Sequence, residues 1–268
     1  MPFLEISHLK KQFTTGQNLL EVLSDLSFSI EAGEFVTILG ASGCGKTTFL
    51  RCVGGFETPT SGEVLLKGQK VLKPGPRISM VFQTFDQLFP WKTVYQNVYV
   101  AAKANNMSTT KTQHREMVME YLDMVGLSGF TDYYPHQLSG GMKQRVAIAR
   151  SLVLESEVIL MDEPFGSIDA QNRTILQAEM LRIWEKTKVT ILFVTHNIME
   201  AIVLGSRIIL FGNPPNNIQM VLDNNIPYDA GNVRTLDAPG FTEMWTELRE
   251  GLYKGSGLEK GKKQVSPE

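Results

Sequence analysis

Cysteine is scarce in this chain: Cys44 and Cys52 are the only two among 268 residues. Eight positions apart around a predicted helix start, they are separated by about 12 Å at a rise of ~1.5 Å per residue. A disulfide tolerates only ~7 Å between Cα atoms, so both read as reduced thiols, with no metal-ligand spacing around them. Long apolar runs are missing too. The richest, residues 189–194, falls far short of the ~18–20 residues that span a bilayer and has the pattern of a short buried strand. The first six residues, Met1-Pro2-Phe3-Leu4-Glu5-Ile6, lack a basic stretch followed by an apolar one, so no secretory leader is predicted and a cytoplasmic address is expected. Excess positive charge is absent as well. Lys and Arg number 26 against 28 Asp and Glu, for a formal net charge of −2, without the field that phosphate neutralisation along a nucleic acid requires. With 43% hydrophobic and 20% charged residues, the chain has the composition of a globular protein with a substantial core.

Alternating apolar and polar residues between positions 3 and 30 predict half-buried antiparallel strands. Glu34-Phe35-Val36-Thr37-Ile38-Leu39 predicts a buried strand that runs into a Gly-rich turn at Gly40 and then a helix near Lys46. Further strands are expected at residues 63–66 and 78–82. Helical periodicity follows at 94–104 and 112–125, with Met117, Tyr121, Leu122 and Val125 on one face. A loop over 126–138 leads to Ser139, a good N-cap for a helix running to about residue 154. Strand patterns return at 158–161, 189–195 and 208–211, separated by helical stretches at 170–186 and 197–204. Strands alternating with helices imply an α/β fold with a largely parallel sheet. No internal repeat is found, and residues 255–268, rich in Gly, Lys and Ser, are expected to form a disordered tail.

Gly40-Ala41-Ser42-Gly43-Cys44-Gly45-Lys46-Thr47 fits G-x-x-x-x-G-K-[ST], whose glycines let successive backbone N–H groups turn inward around phosphate oxygens. Lys46 is placed to reach the β- and γ-phosphates. The following helix adds its positive N-terminal dipole, and the Thr47 hydroxyl is placed to ligate Mg²⁺, with Thr48 beside it in the nucleotide-contacting set. GTPases, small-molecule kinases and ATPases share this loop, so it predicts Mg-nucleotide binding and leaves the class open. Val158-Ile159-Leu160-Met161-Asp162-Glu163 is an apolar strand ending in two acids. Asp162 is predicted to hold Mg²⁺ through water, and Glu163 to polarise the attacking water, a role worth about 10²- to 10⁴-fold in rate.

Leu138-Ser139-Gly140-Gly141-Met142-Lys143-Gln144-Arg145 places a Ser N-cap and two glycines at a second helix start, a second anion-binding terminus in one chain. A single nucleotide does not need both, and the economical account is that this one serves the γ-phosphate of an ATP held mainly by another subunit. Here the sequence strongly resembles the ABC ATPase family. Residues 138–144 match its signature motif, 40–47 its Walker A and 158–163 its Walker B, and the likeness runs over about residues 3–211. The resemblance implies a P-loop NTPase fold with a mixed, mainly parallel core sheet, an N-terminal antiparallel β subdomain and an inserted helical subdomain at about 84–156, in one ATPase domain over 1–254. It also implies that Gln83 is the Q-loop glutamine reaching Mg²⁺ and the attacking water. His196 looks like the switch histidine at the γ-phosphate and Asp169 the D-loop aspartate at a dimer seam. Phe13 occupies the position where the family stacks an aromatic ring on adenine, though a lone aromatic beside strand residues is equally a core residue.

Gly75-Pro76-Arg77 and Leu88-Phe89-Pro90-Trp91-Lys92-Thr93-Val94, with Tyr134-Pro135-His136-Gln137 before the signature, are similar to the ATPases of the nitrate, sulfonate and taurine importer group. That likeness implies a homodimer or paired ATPase on the inner face of the membrane. Its helical region would dock separate permease subunits through apolar Phe85, Leu88, Phe89 and Trp91, and a solute-binding protein would act indirectly. Asn197 and Met199 depart from the group at positions that are often acidic, and the stretch after Phe211 gives no family match. An exporter or envelope-remodelling ATPase carries the same motifs and stays open at this point. A soluble ABC ATPase of DNA repair or ribosomes would add a coiled coil or a second cassette, which this chain does not show.

Overall fold

The computed structural model describes residues 2–16, 18–82, 87–105, 110–166, 168–227 and 234–255. Of the tail expected over 255–268, Gly255 instead ends a helix and 256–268 lie outside the described residues. Alternating side chains build β1 (Leu4–Thr15) and β2 (Asn18–Ile30), which pair antiparallel with Leu4 opposite Ile30. With β4 (Ser61–Leu66) and the short β5 (Gln69–Lys70) they form a four-stranded sheet in the order β2-β1-β4-β5.

The second sheet has six strands, ordered β10-β9-β3-β8-β7-β6. At its centre is β3 (Phe35–Gly40), flanked in parallel by β8 (Thr190–Thr195) and β9 (Arg207–Phe211). Parallel pairing continues through β7 (Val158–Asp162) to β6 (Ile78–Val81), and only β10 (Ile218–Asp223) runs antiparallel. The five parallel strands are mainly apolar because both faces are covered. Their two-residue period sorts them cleanly. Val36, Ile38, Leu160, Leu192 and Val194 join a core with the four-stranded sheet and with Phe49 and Leu50 of α1 (Lys46–Val53). Phe35, Leu39, Ile159, Met161, Ile191 and Phe193 join the opposite core, shared with the remaining helices.

Three of those helices, α2 (Val94–Asn105), α3 (Lys111–Met124) and α4 (Gly140–Leu152), pack on one another. The buried face of α3 is carried by His114, Val118 and Leu122, with Met117 and Tyr121 half-buried beside it. The expected stripe is borne out, with Leu122 and Val125 in the core and Met117 and Tyr121 packed against it, and His114 and Val118 extend it. The helices α5 (Ala170–Thr187) and α6 (Ile198–Leu204) follow β7 and β8 in the chain. Beyond Phe211, β10 and α7 (Phe241–Gly255) were not foreseen; α7 buries Phe241 and Leu248 against α6 and β9.

Leu88 corrects another expectation: it is 3% exposed and belongs to the core, so it offers nothing to a docking groove. Both cysteines are buried and free. Among the described residues, no helix is long and apolar enough to cross a membrane.

Candidate functional site

The loop between β3 and α1 turns tightly because Gly43 and Gly45 adopt φ of 83° and 99°, the left-handed region that other residues enter at a cost. Gly40 is required for a different reason: a Cβ there would lie 2.7 Å from the Phe211 carbonyl oxygen and 2.8 Å from Cys44 Sγ. Lys46 is 5% exposed, and its Nζ donates to the carbonyls of Gly40 and Ala41, each at 2.8 Å. The ammonium is thus curled inside the loop. No side chain caps the N-terminus of α1, leaving first-turn N–H groups turned toward the loop as an anion-binding terminus. Ala41, Ser42 and Gly43 are exposed and Thr48 is half-buried. Cys44 is buried, which pushes its thiol up, so it contributes backbone and not thiolate chemistry.

Thr47 Oγ1 donates to Asp162 Oδ1 at 3.0 Å, closing the loop onto the end of β7. Burial pushes the Asp162 carboxyl up, and the Thr47 hydrogen bond opposes that. These hard oxygens from a hydroxyl and a carboxylate are the donor types that suit Mg²⁺. The next residue leaves the strand abruptly. Glu163 has φ of 44°, uncommon for a residue with a side chain and characteristic of functional positions. Its backbone is pinned there, its N–H donating to Val194 O at 3.0 Å and its carbonyl accepting from Gly166 N at 3.0 Å. Glu163 Oε2 lies 3.0 Å from Nδ1 of His196, which directly follows β8. Two pairs, Thr47 with Asp162 and Glu163 with His196, therefore hang from the C-terminal ends of β3, β7 and β8. A cleft of about 30 Å³ is walled by Glu163, Thr195, His196 and Glu200, among others.

Ser139 caps α4, its Oγ accepting from Met142 N at 3.3 Å, and Gly140 and Gly141 form the opening turn. Asp169 caps α5: its Oδ1 accepts from Asn172 N at 3.1 Å and its Oδ2 from Asn172 Nδ2 at 2.7 Å. Hydrogen bonding to Asn172 holds its carboxyl below the usual range. Phe13 is 36% exposed, which excludes the core alternative, and Lys11 Nζ sits 4.7 Å from its ring centroid. Lys11 is itself tied to Glu57 at 2.6 Å and to the Thr58 carbonyl at 2.8 Å. Gln83 lies outside the described residues, as does Phe85.

Asn197 acquires a physical account. Its Oδ1 accepts from the N–H groups of Met199 and Glu200, at 2.9 and 3.4 Å, so it caps α6 as an aspartate would. Sequence reasoning missed Lys11, Arg173 and Glu200. The spacing of Glu200 four residues after His196 is a faint helical signal, but nothing in the sequence shows what it meets.

Residues 23–166 match the family model described as ABC transporter. The chain is 41% identical over 255 residues to the nitrate import ATP-binding protein NrtD of Synechococcus elongatus, covering 94% of this chain and 92% of that one. It is 41% identical over 252 residues to the aliphatic sulfonates import ATP-binding protein SsuB of Bacillus cereus, covering 94% and 96%. Among solved structures, a dimeric post-hydrolysis state of the ATP-binding cassette MJ0796 bound to ADP and Pi superposes with a TM-score of 0.72. That cassette is 30% identical, with 83% of this chain and 99% of that chain covered. A phosphate loop closed onto a strand-end aspartate, in a fold shared with nucleotide-loaded cassettes, makes this chain an ATP-binding ATPase that belongs to the ABC transporter family.

Proposed function

We propose that this chain is the ATP-hydrolysing subunit of an importer for a small anionic solute, working as one half of a head-to-tail pair. The observation that carries the pairing is the presence of two anion-binding helix termini on different layers. α1 opens behind the Lys46 loop at the C-terminal end of β3, and α4 opens behind Ser139 in the helical layer. In the pair, residues 40–47 and Thr48 of one chain hold the phosphates of an ATP while Phe13 offers its open ring face to the adenine. The partner presents Ser139, Gly140 and Gly141 to the γ-phosphate and Asp169 to the seam. Thr47, Asp162 and Gln83 are the residues that would hold Mg²⁺, which would supply neutralisation of phosphate charge. Lys46 adds a point charge to the same phosphates. Glu163 orients and deprotonates the attacking water, and His196, 3.0 Å from it, fixes the carboxylate and faces the γ-phosphate.

Support for the membrane partner comes from the helical layer. A cavity of about 340 Å³ lies between β6, α2 and α4, lined in part by Ile78, Ala101, Ala147, Arg150 and Leu154. Beside this layer Trp91 is 70% exposed and rests on Phe89, with ring centroids 5.7 Å apart. An apolar recess with a projecting aromatic fits a short helix of a permease subunit, and this supports a reading of the chain as a peripheral subunit on the inner face of the membrane. The solute class comes from the relatives, which are named for nitrate and aliphatic sulfonate import.

The test is phosphate release from the purified protein with Mg-ATP, set beside Glu163→Gln. That variant should bind ATP and accumulate as a nucleotide-bound dimer by light scattering. A variant that binds ATP at saturation yet stays monomeric, alone and with its membrane partners, refutes the pairing. Co-purified permease subunits and a solute-binding protein, screened against nitrate, alkanesulfonates, bicarbonate and uncharged solutes, test the import reading; an associated binding protein that takes an uncharged or cationic solute and none of the anions refutes the solute class.

A further inference from the structure

A polar bridge that the chemistry above does not use joins the first turns of α5 and α6. Arg173 stands four residues after Asp169 and Glu200 four after His196, so each lies about one helical turn beyond a residue assigned to the site. Arg173 Nη2 donates to the Ile168 carbonyl at 2.8 Å, and Arg173 Nε lies 3.6 Å from Glu200 Oε1. The other carboxylate oxygen, Glu200 Oε2, accepts from Thr195 Oγ1 at 2.6 Å. The Thr195 hydroxyl in turn accepts from Asn197 N at 3.0 Å. One end of the bridge is thus the residue before Asp169, and the other is the residue before His196. Arg173 and Glu200 also line the same cleft as Glu163 and His196.

The bridge does not follow from packing needs. Glu200 is 5% exposed, and a buried carboxylate costs stability unless its partners offset the loss of water. An apolar residue of similar size would fill the same space without that cost. What the charged pair supplies is a tie between two anchored ends: Arg173 is held by the Ile168 carbonyl and Glu200 by the Thr195 hydroxyl, while Arg173 Nε, which makes no hydrogen bond among the described residues, faces the carboxylate at ion-pair distance.

We propose that Arg173 and Glu200 are positioning residues that lock the turn carrying Asp169 to the strand end carrying His196. The geometry of the dimer seam then sets the alignment of His196 and Glu163. The proposal rests on the reading of Glu163 and His196 as the hydrolytic pair and of Asp169 as a seam residue.

The experiment measures steady-state phosphate release over an ATP titration, equilibrium nucleotide binding and thermal midpoint. The variants are Arg173→Met, Glu200→Gln, their double, Arg173→Lys and Glu163→Gln. A displacement near 1 Å at a reacting centre costs up to about 10²-fold, so Arg173→Met and Glu200→Gln should each lower kcat by roughly tenfold or more. KM for ATP and nucleotide affinity should stay within about twofold. The double variant should match the worse single variant, because either cut opens the same bridge. Arg173→Lys, which keeps charge but not the fork, should recover only part of kcat. Folded variants with wild-type kcat, or losses that multiply in the double, overturn the proposal. If neither charge variant folds, Thr195→Val cuts the far end of the bridge and must show the same loss of kcat at unchanged KM; wild-type kcat there overturns it equally. Glu163→Gln separates the two levels. If it hydrolyses ATP at the wild-type rate, the underlying reading fails; if it is inactive while the bridge variants are normal, only the bridge fails.

Discussion

Glu163 is held in a backbone conformation that its own side chain disfavours, and this gives a prediction with an unusual sign. At an ordinary extended position, glycine is less stable than alanine by roughly 0.5–1 kcal/mol, because it is freer in the unfolded chain. With φ at 44°, a residue bearing a Cβ loses about 1–2 kcal/mol to the left-handed conformation, and glycine does not. Setting that against about 0.4–1 kcal/mol of extra unfolded freedom leaves Glu163→Gly more stable than Glu163→Ala by about 0.5–1 kcal/mol. The comparison isolates the backbone, since both variants lose the carboxylate and its 3.0 Å contact with His196. For 268 residues, at about 2.1 cal/mol/K of unfolding entropy per residue, the gap corresponds to roughly 1–2 °C. Urea unfolding followed by circular dichroism without nucleotide measures it, and both variants should have lost about 10²- to 10⁴-fold in hydrolysis. An alanine variant as stable as the glycine variant, or more so, refutes the idea that strain is stored at this residue.

Other perturbations are equally direct. Burial pushes the Asp162 carboxyl above its ordinary value of 3.8, so the folded state holds the proton more readily than the unfolded chain. The group's favourable contribution is complete below the ordinary range and is lost as pH rises through the folded value. Asp162→Asn should therefore stabilise the nucleotide-free protein at pH 7, with the gain vanishing below about pH 4, as read from urea midpoints across pH. Gly40→Ala drives a Cβ to 2.7 Å from the Phe211 carbonyl and should cost about 1–3 kcal/mol while weakening nucleotide binding, measured by unfolding and by nucleotide titration. Burial pushes the Cys52 thiol up to about 11 and raises that of Cys44 as well. A thiol reagent at pH 8 should consequently label both only on unfolding; rapid labelling of the native protein contradicts their placement.

Much of the sheet was legible because its strands are short apolar runs between helices, and the Lys46 loop because it needs glycine at fixed points. Element types from β1 to β9 were read correctly apart from the two-residue β5, whose exposed Gln69 and Lys70 carry no pattern. The edge strand β10 escaped for a related reason, since its residues are only half-buried or exposed and its apolar run, Met220-Val221-Leu222, is short. For α7, the stripe Phe241, Trp245, Leu248 and Leu252 was present in the sequence but followed a stretch broken by several prolines. Leu88 was misplaced because an apolar residue beside Phe89 and Trp91 looks the same whether it faces core or solvent. The Arg173 and Glu200 bridge could not be read at all: its ends are 27 positions apart, and only the docking of α5 on α6 makes them neighbours.

The strand order has a consequence for how the protein is made. Within the six-stranded sheet β3 has two neighbours, β8 and β9, whose residues begin at Thr190 and Arg207. When Gly40 leaves the ribosome, neither exists yet. At about 5–20 residues per second, the roughly 150 residues between Gly40 and Thr190 take on the order of 8–30 s to synthesise. Throughout that interval a six-residue strand that is buried at every position in the finished fold has no place in its sheet and must be sheltered by the first hairpin or by a chaperone. The nucleotide loop is among the first parts of this chain to be translated and among the last to acquire its shape.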